Sequence, residues 1–184
     1  MKRYQLQLQD VEMSDALGEI DRLSGLEPRQ RNTLRLLTEE MFSMMQNVLS
    51  NQEAGFQIEY EGKSFALTLT ANVLVSDKAR EEYLSMSKSG KNMANRGILG
   101  KVISFLEAMA VGVPTPGPVL YGLSPEISGY AQIWQMSSYM EEAPEKEREV
   151  EWDGMEKSII ANFADDVLIG VRDSYMEMVV KKSF

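Results

Sequence analysis

Three polar residues, Glu40, Ser43 and Asn47, recur along one edge of a segment with helical spacing, LRLLTEEMFSMMQNVLS, residues 34 to 50. At roughly 100° per residue they lie beside an apolar seam made by Leu34, Leu37, Met41, Met44 and Val48. A carboxylate, a hydroxyl and an amide on the rim of a core-facing helix would line a cleft if that helix packs on a sheet. Asparagine is a mediocre helix former because its amide competes for backbone hydrogen bonds, so Asn47 beside the seam suggests a task. Its carbonyl oxygen suits a hard cation such as Mg²⁺, which takes oxygen donors and keeps several waters. The plainer account is a boundary stripe that faces water.

A second group with chemical potential is SKSGKNMANRGILGK, residues 87 to 101. It offers the cations Lys88, Lys91 and Lys101, the glycines Gly90, Gly97 and Gly100, and the amide of Asn92. A Walker A loop needs a glycine, four residues, then Gly-Lys-Ser/Thr. Here Gly100-Lys101 is followed by Val102 and the earlier glycine position holds Asn95, so that pattern fails. What remains is a set of cations and backbone N–H groups before a helix start near Gly97, where an anion would be attracted. A flexible loop with solvated charges explains the same residues without a ligand.

Composition closes several classes. The 184-residue chain has no cysteine and no histidine, which removes disulfides, thiol nucleophiles, serine–histidine pairs and the usual zinc sites. A formal charge of −9 argues against a nucleic-acid binder. The start, MKRYQLQLQD, alternates apolar and polar residues and lacks the apolar run of a signal peptide. The longest uncharged run, 108 to 125, holds Pro114, Pro116 and Pro118 and would not span a membrane as an ordinary helix. The expectation is a cytoplasmic protein of one domain, residues 1 to 184, with no membrane partner.

The elements that would position these groups follow from periodicity. Strands are expected over 4–10, 56–61, 65–75, 167–172 and 175–182, the second and third joined at Glu61-Gly62-Lys63. Helices are expected over 14–24, capped by Ser14, over 28–51, opened by Pro28, and over 154–165, marked by Met155, Ile159 and Phe163. Asp77 can cap a short helix, and Ile98 to Ala110 carries helical spacing. Residues 111 to 152 combine prolines, glycines and aromatics, among them Trp134 and Tyr139, with an acidic stretch over 141–151 that is expected to be mobile. The whole reads as an α+β, two-layer sandwich, its sheet mostly antiparallel and its helices on one face.

This succession resembles the histidine-kinase-like ATPase superfamily, and within it the anti-sigma-factor branch of small serine-kinase regulators. In that family the long helix carries Glu-x-x-x-Asn, and MMQNVL matches its Asn end. The resemblance implies Asn47 as the Mg²⁺ ligand and places Ser43 at the position of the general base, with Glu40 nearby. The family's Asp-x-Gly-x-Gly stretch corresponds to TANVLVSD, which has no glycine. Its third, glycine-rich motif has two candidates, NRGILGK with Gly97 and Gly100, and EWDGMEKSIIANFADDVLIGV, whose helix-into-strand rhythm fits the final hairpin. In the second case residues 77–153 form an enlarged nucleotide lid.

The resemblance therefore implies a cytoplasmic regulator with altered or lost binding of ATP/ADP with Mg²⁺. Such a protein would act on a partner of sigma-factor or anti-anti-sigma type. Lys88, Gly90, Lys91, Asn92, Gly97, Gly100 and Lys101 would then face the nucleotide. The alternatives are an active Mg-ATP-dependent serine/threonine protein kinase and a structural or assembly module using residues 111–152. A homodimer stays open.

Overall fold

The computed structural model describes residues 4–8, 11–48, 54–72, 132–142, 159–172 and 175–184. In chain order the elements are β1 (Tyr4–Leu8), α1 (Met13–Arg22), α2 (Pro28–Val48), β2 (Ala54–Glu61) and β3 (Ser64–Asn72). There follow β4 (Gln132–Gln135), α3 (Met136–Glu142), α4 (Ile159–Phe163), β5 (Asp166–Arg172) and β6 (Tyr175–Ser183). The fold is α+β, with one six-stranded sheet in the order β1-β2-β3-β6-β5-β4 and every neighbouring pair antiparallel.

The helix pair α1–α2 is fastened by its connection. Gly25, at φ 78°, turns the chain after α1, a backbone conformation that glycine adopts without steric cost. Arg31 on α2 then reaches back and donates to the carbonyls of Ile20 and Leu23, each at 3.0 Å, at the end of α1 where the Ile20 carbonyl also accepts the Leu23 N–H at 3.3 Å. Arg35 adds an ion pair with Asp21. The start of α1 departs from expectation. The helix begins at Met13 with Glu12 as its cap, and the Glu12 N–H donates to Asp15 Oδ2 at 3.2 Å. Asp15, one turn further on, can accept that bond, whereas exposed Ser14 lies inside the helix.

Helix α2 lies over β3 and β6, with α1 and α4 packed against it. Leu34, Leu37, Met41 and Met44 are buried, as the seam requires, and the side chain of Val48 lies outside the described residues. Thr38 and Phe42 are buried as well. A helix flanked by two others needs a wider apolar face than one that meets a sheet alone. Thr38 answers its burial by donating its hydroxyl to the Leu34 carbonyl at 2.9 Å. Phe42 meets Phe56 of β2 with ring centroids 5.6 Å apart. On α4 the core residue is Ile160, and Phe163 is 44% exposed, contrary to the expected Ile159/Phe163 face. The helix breaks at Ala164, and Asp165 is held to β6 by Lys182 and by the Ser183 N–H.

The sheet's register explains its core. Ile58, Leu67, Val180 and Val167 stand side by side across β2, β3, β6 and β5. Phe56, Leu69, Met178 and Ile169 form the next row, and all eight residues are buried in one cluster with α2. The opposite face is buried at its centre too, through Thr68, Glu177, Val179 and Leu168. Helices on one face therefore account for only half of what the sheet buries. The central strands say why: VLIG and MVV put apolar residues on both sides of the sheet, the pattern of strands covered twice.

The β2–β3 hairpin closes with Gly62 at φ 63°, the positive value that two-residue hairpin turns favour. Strand β4 was not expected from the sequence, being only four residues long. It pairs with β5 through Trp134↔Ile169, so part of the 77–153 segment belongs to the sheet. Asp166 anchors this junction: Oδ1 accepts from the Ser137 N–H at 3.1 Å and Oδ2 from the Gln135 side chain. Glu141 and Glu142, the first residues of the acidic stretch, end α3, and 143–151 lie outside the described residues.

Two stability measurements check this packing. Met44→Ala should cost roughly 2–5 kcal/mol in denaturant unfolding, the range for large-to-small core changes. Leu36→Ala, on the outer face of α2, should stay within about 0.5 kcal/mol. Asp166→Ala should cost about 1–2 kcal/mol, the worth of a lost helix cap, and should speed hydrogen exchange at the Ser137 amide.

Candidate functional site

The site begins with the second half of α2, because seam and stripe share that helix. Burial of Leu37, Met41 and Met44 against the sheet fixes the rotation of α2 about its axis. That rotation sets Glu40 and Ser43 at the edge of the helix layer. Glu40 is half-buried and Ser43 is exposed. Asn47 lies in the last turn of α2, one residue before its end at Val48, and its side chain is outside the described residues.

Glu40 is the electrostatically distinctive member of the stripe. Removal of water by the surrounding structure pushes its carboxyl above the ordinary glutamate range. It is thus a carboxylate whose neutral form the fold favours, on a helix edge one turn before a hydroxyl. Such a group is suited to taking up a proton from a neighbouring hydroxyl or water. Ser43 engages in interactions of its own and has no ionisation in the working pH range. The structure thus brings Glu40 and Ser43 onto one helix edge, and the backbone continues that edge to Asn47.

The second expected group falls elsewhere. Lys88, Gly90, Lys91, Asn92, Gly97, Gly100 and Lys101 all lie within 73–131, outside the described residues, as do Asp77 and most of TANVLVSD. Of EWDGMEKSIIANFADDVLIGV, the described part is α4 running into β5, which has the expected helix-into-strand form. Among the described residues no cluster of three or more acidic side chains could hold a metal ion on its own. No helix of the described residues is long and apolar enough to cross a membrane.

Asp166 had no sequence signal. It stands beside Asp165, between the helix expected to end at 165 and the strand expected to begin at 167, yet it organises the β4–α3 junction.

The environment of Glu40 has a pH signature. A raised carboxyl pKa means the folded state holds this proton more tightly than the unfolded chain does. The resulting stabilisation is complete below the ordinary glutamate range and is lost as pH rises through the raised value. At pH 7 the wild-type chain therefore bears the cost of an ionised, partly desolvated carboxylate, and Glu40→Gln should raise the urea midpoint. The gap should shrink as pH falls toward 3. A gap that widens on acidification would place Glu40 in an environment that favours its charge.

No protein-family model matches the chain, and no curated protein matches it.

Proposed function

We propose that this chain is a regulatory protein of the histidine-kinase-like ATPase type, anti-sigma-factor-like in manner. In this reading it acts by binding a protein partner, of sigma-factor or anti-anti-sigma character, and its handling of ATP/ADP with Mg²⁺ is altered or lost. The observation that carries the reading is the placement of the stripe. Among the described residues, Glu40, Ser43 and Asn47 run along the edge of the long helix that covers β3 and β6, beside a sheet completed by the β5–β6 hairpin. The order β1-α1-α2-β2-β3, then α4-β5-β6, supports the same reading.

In this arrangement each residue has a stated task. Asn47 would be the residue to hold Mg²⁺ through its amide oxygen, and the ion, when bound, would supply charge neutralisation for a nucleotide's phosphates. Ser43 stands where a carboxylate base is expected and cannot accept a proton as a carboxylate does. Losing a positioned general base typically removes a factor of about 10²–10⁴ in rate. Binding without turnover is the outcome that suits a regulator whose readout is a partner.

A second reading is an active serine/threonine protein kinase, and the desolvated Glu40 favours it. A carboxylate with a raised pKa one turn from Ser43 could accept the substrate hydroxyl proton in place of the missing group.

Calorimetric titration with Mg-ADP and Mg-ATP, on the native chain and on Asn47→Ala, tests the site. The regulatory reading expects weak, Mg²⁺-dependent binding or none, with no phosphate release and no phosphate transfer to a captured partner. Transfer abolished by both Asn47→Ala and Glu40→Gln would establish the kinase reading. Ser43→Glu restores the expected carboxylate and should raise phosphate release at least tenfold if the remaining site is intact. Tight nucleotide binding that ignores Mg²⁺ and survives Asn47→Ala would remove α2 from the site.

A further inference from the structure

The second face of the sheet is buried without a layer to bury it among the described elements. Leu168 is 0% exposed, Glu177 and Val179 are each 2% exposed, and Thr68 is 9% exposed. Thr68, Val179 and Leu168 form one row on this face, and Glu177 stands opposite Gly170 in the next. Gly170 is buried too, although it has no side chain to cover its own backbone, which marks a strand that another segment approaches closely. Among the described helices, α2 packs on the first face with α1 and α4 against it, and α3 packs on β5 and β4 at one side. That packing leaves β3 and β6 uncovered on the second face. Their residues are enclosed within a single chain, so the covering layer is a further part of that chain.

The long stretches outside the described residues are 73–131 and 143–158. The second is dense in charge from Glu145 to Glu151 and ill-suited to Val179 and Leu168. The first contains Ile98, Leu99, Val102, Ile103, Leu106 and Met109, apolar at helical spacing. We infer that residues 98–110 are the third layer, a helix seated on the second face against Thr68, Val179 and Leu168, so that the sheet lies between two layers of helix. The points where the chain leaves and rejoins the sheet fit this seat. Asn72 pairs with Tyr175, Tyr175 with Arg172, and Gln132 with Val171, so 73–131 starts and ends at one end of the sheet, across a gap of about 14 Å. A handful of extended residues would bridge that gap, and 73–131 is many times longer. A helix over 98–110 is about 20 Å long, the depth of sheet that β3 spans from residue 66 to 72. The seat also divides the Lys/Gly group. Gly100 and Lys101 ride on the second face, with the sheet between them and the α2 stripe, which leaves Lys88 and Lys91 as the cations that a nucleotide beside α2 could meet. The seat does not depend on whether α2 binds nucleotide.

The chain has no cysteine, so chosen pairs can be introduced and oxidised. Val179→Cys is combined in turn with Val102→Cys, Ile103→Cys and Leu106→Cys in the full chain. Mild oxidation should give an intramolecular disulfide in at least one pair, read by mass and peptide mapping, because packed neighbours come within the Cα separation a disulfide spans. Met41→Cys, at a position buried on the first face, should pair with none of the three. Double-mutant cycles serve where a cysteine pair impairs folding. Val179→Ala with Val102→Ala, Ile103→Ala or Leu106→Ala should give unfolding equilibrium constants non-additive by at least threefold in one cycle or more, with circular dichroism verifying the fold. Pairing of Val179→Cys with Val119→Cys in place of all three would seat the proline-rich run there and overturn the inference. A covalent dimer of the Val179→Cys chain would make the face a contact between copies and overturn it too. So would cross-linking through Met41→Cys, folded variants that give none of the three cross-links, or additivity in every cycle.

Discussion

Everything in this molecule is referred to the contact between α2 and the two central strands. One helix face, wide enough to hold Leu34, Leu37, Thr38, Met41, Phe42 and Met44, is removed from water against β3, β6 and the flanking helices. Removing apolar surface from water is the main favourable term in folding, and among the described residues α2 supplies the helical side of that buried cluster. The same contact sets the rotation of α2, and the rotation decides which polar residues stand at the rim. Stability and site chemistry are therefore not separable along this helix. A change that rolls α2 by one residue would bury Ser43 and lift Met44 out of the core.

How far the sequence led can be judged residue by residue. The seam on α2 was legible because five apolar residues at helical spacing outweigh any local preference, and four of them are seen buried. The hairpin at Gly62 was legible because only glycine adopts its backbone angle at no cost. Strand β4 was hidden, since four residues of mixed character carry too little periodicity and its pairing with β5 is a tertiary fact. The cap at Glu12 was hidden for a related reason. Serine is the better cap in isolation, but the helix begins where Asp15 can answer the Glu12 N–H. Phe163 misled because spacing alone cannot tell a core residue from an exposed one at the end of a five-residue helix.

For the site, the stripe Glu40-Ser43-Asn47 was legible as a stripe, and the desolvation of its first member was not. Burial of a carboxyl depends on what surrounds the helix edge, which no pattern within α2 encodes. The second face of the sheet teaches the same lesson on a larger scale. Glu177 and Thr68 alternate with apolar neighbours as residues of a solvent face would, and yet both are buried. Polar residues enclosed in this way make the centre of the sheet sensitive to its polar interactions as well as to its packing.

The strand order also governs how the molecule can assemble. Ser64 and Ser183, whose hydroxyls meet at 3.1 Å, are 119 residues apart in the chain, and every β3–β6 pair spans a comparable loop. The first five elements are local in sequence and can collapse early, leaving β3 as an open edge with its apolar row uncovered on one side. That edge is closed only when the β5–β6 hairpin arrives, against the entropy of a very long loop. Non-local strand pairing of this kind is intrinsically slow to form, and β3 stays exposed to competing contacts until it is made. In a living cell the vulnerable interval falls between synthesis of β3 and delivery of β6, and it is there that chaperones and proteases would compete for the chain.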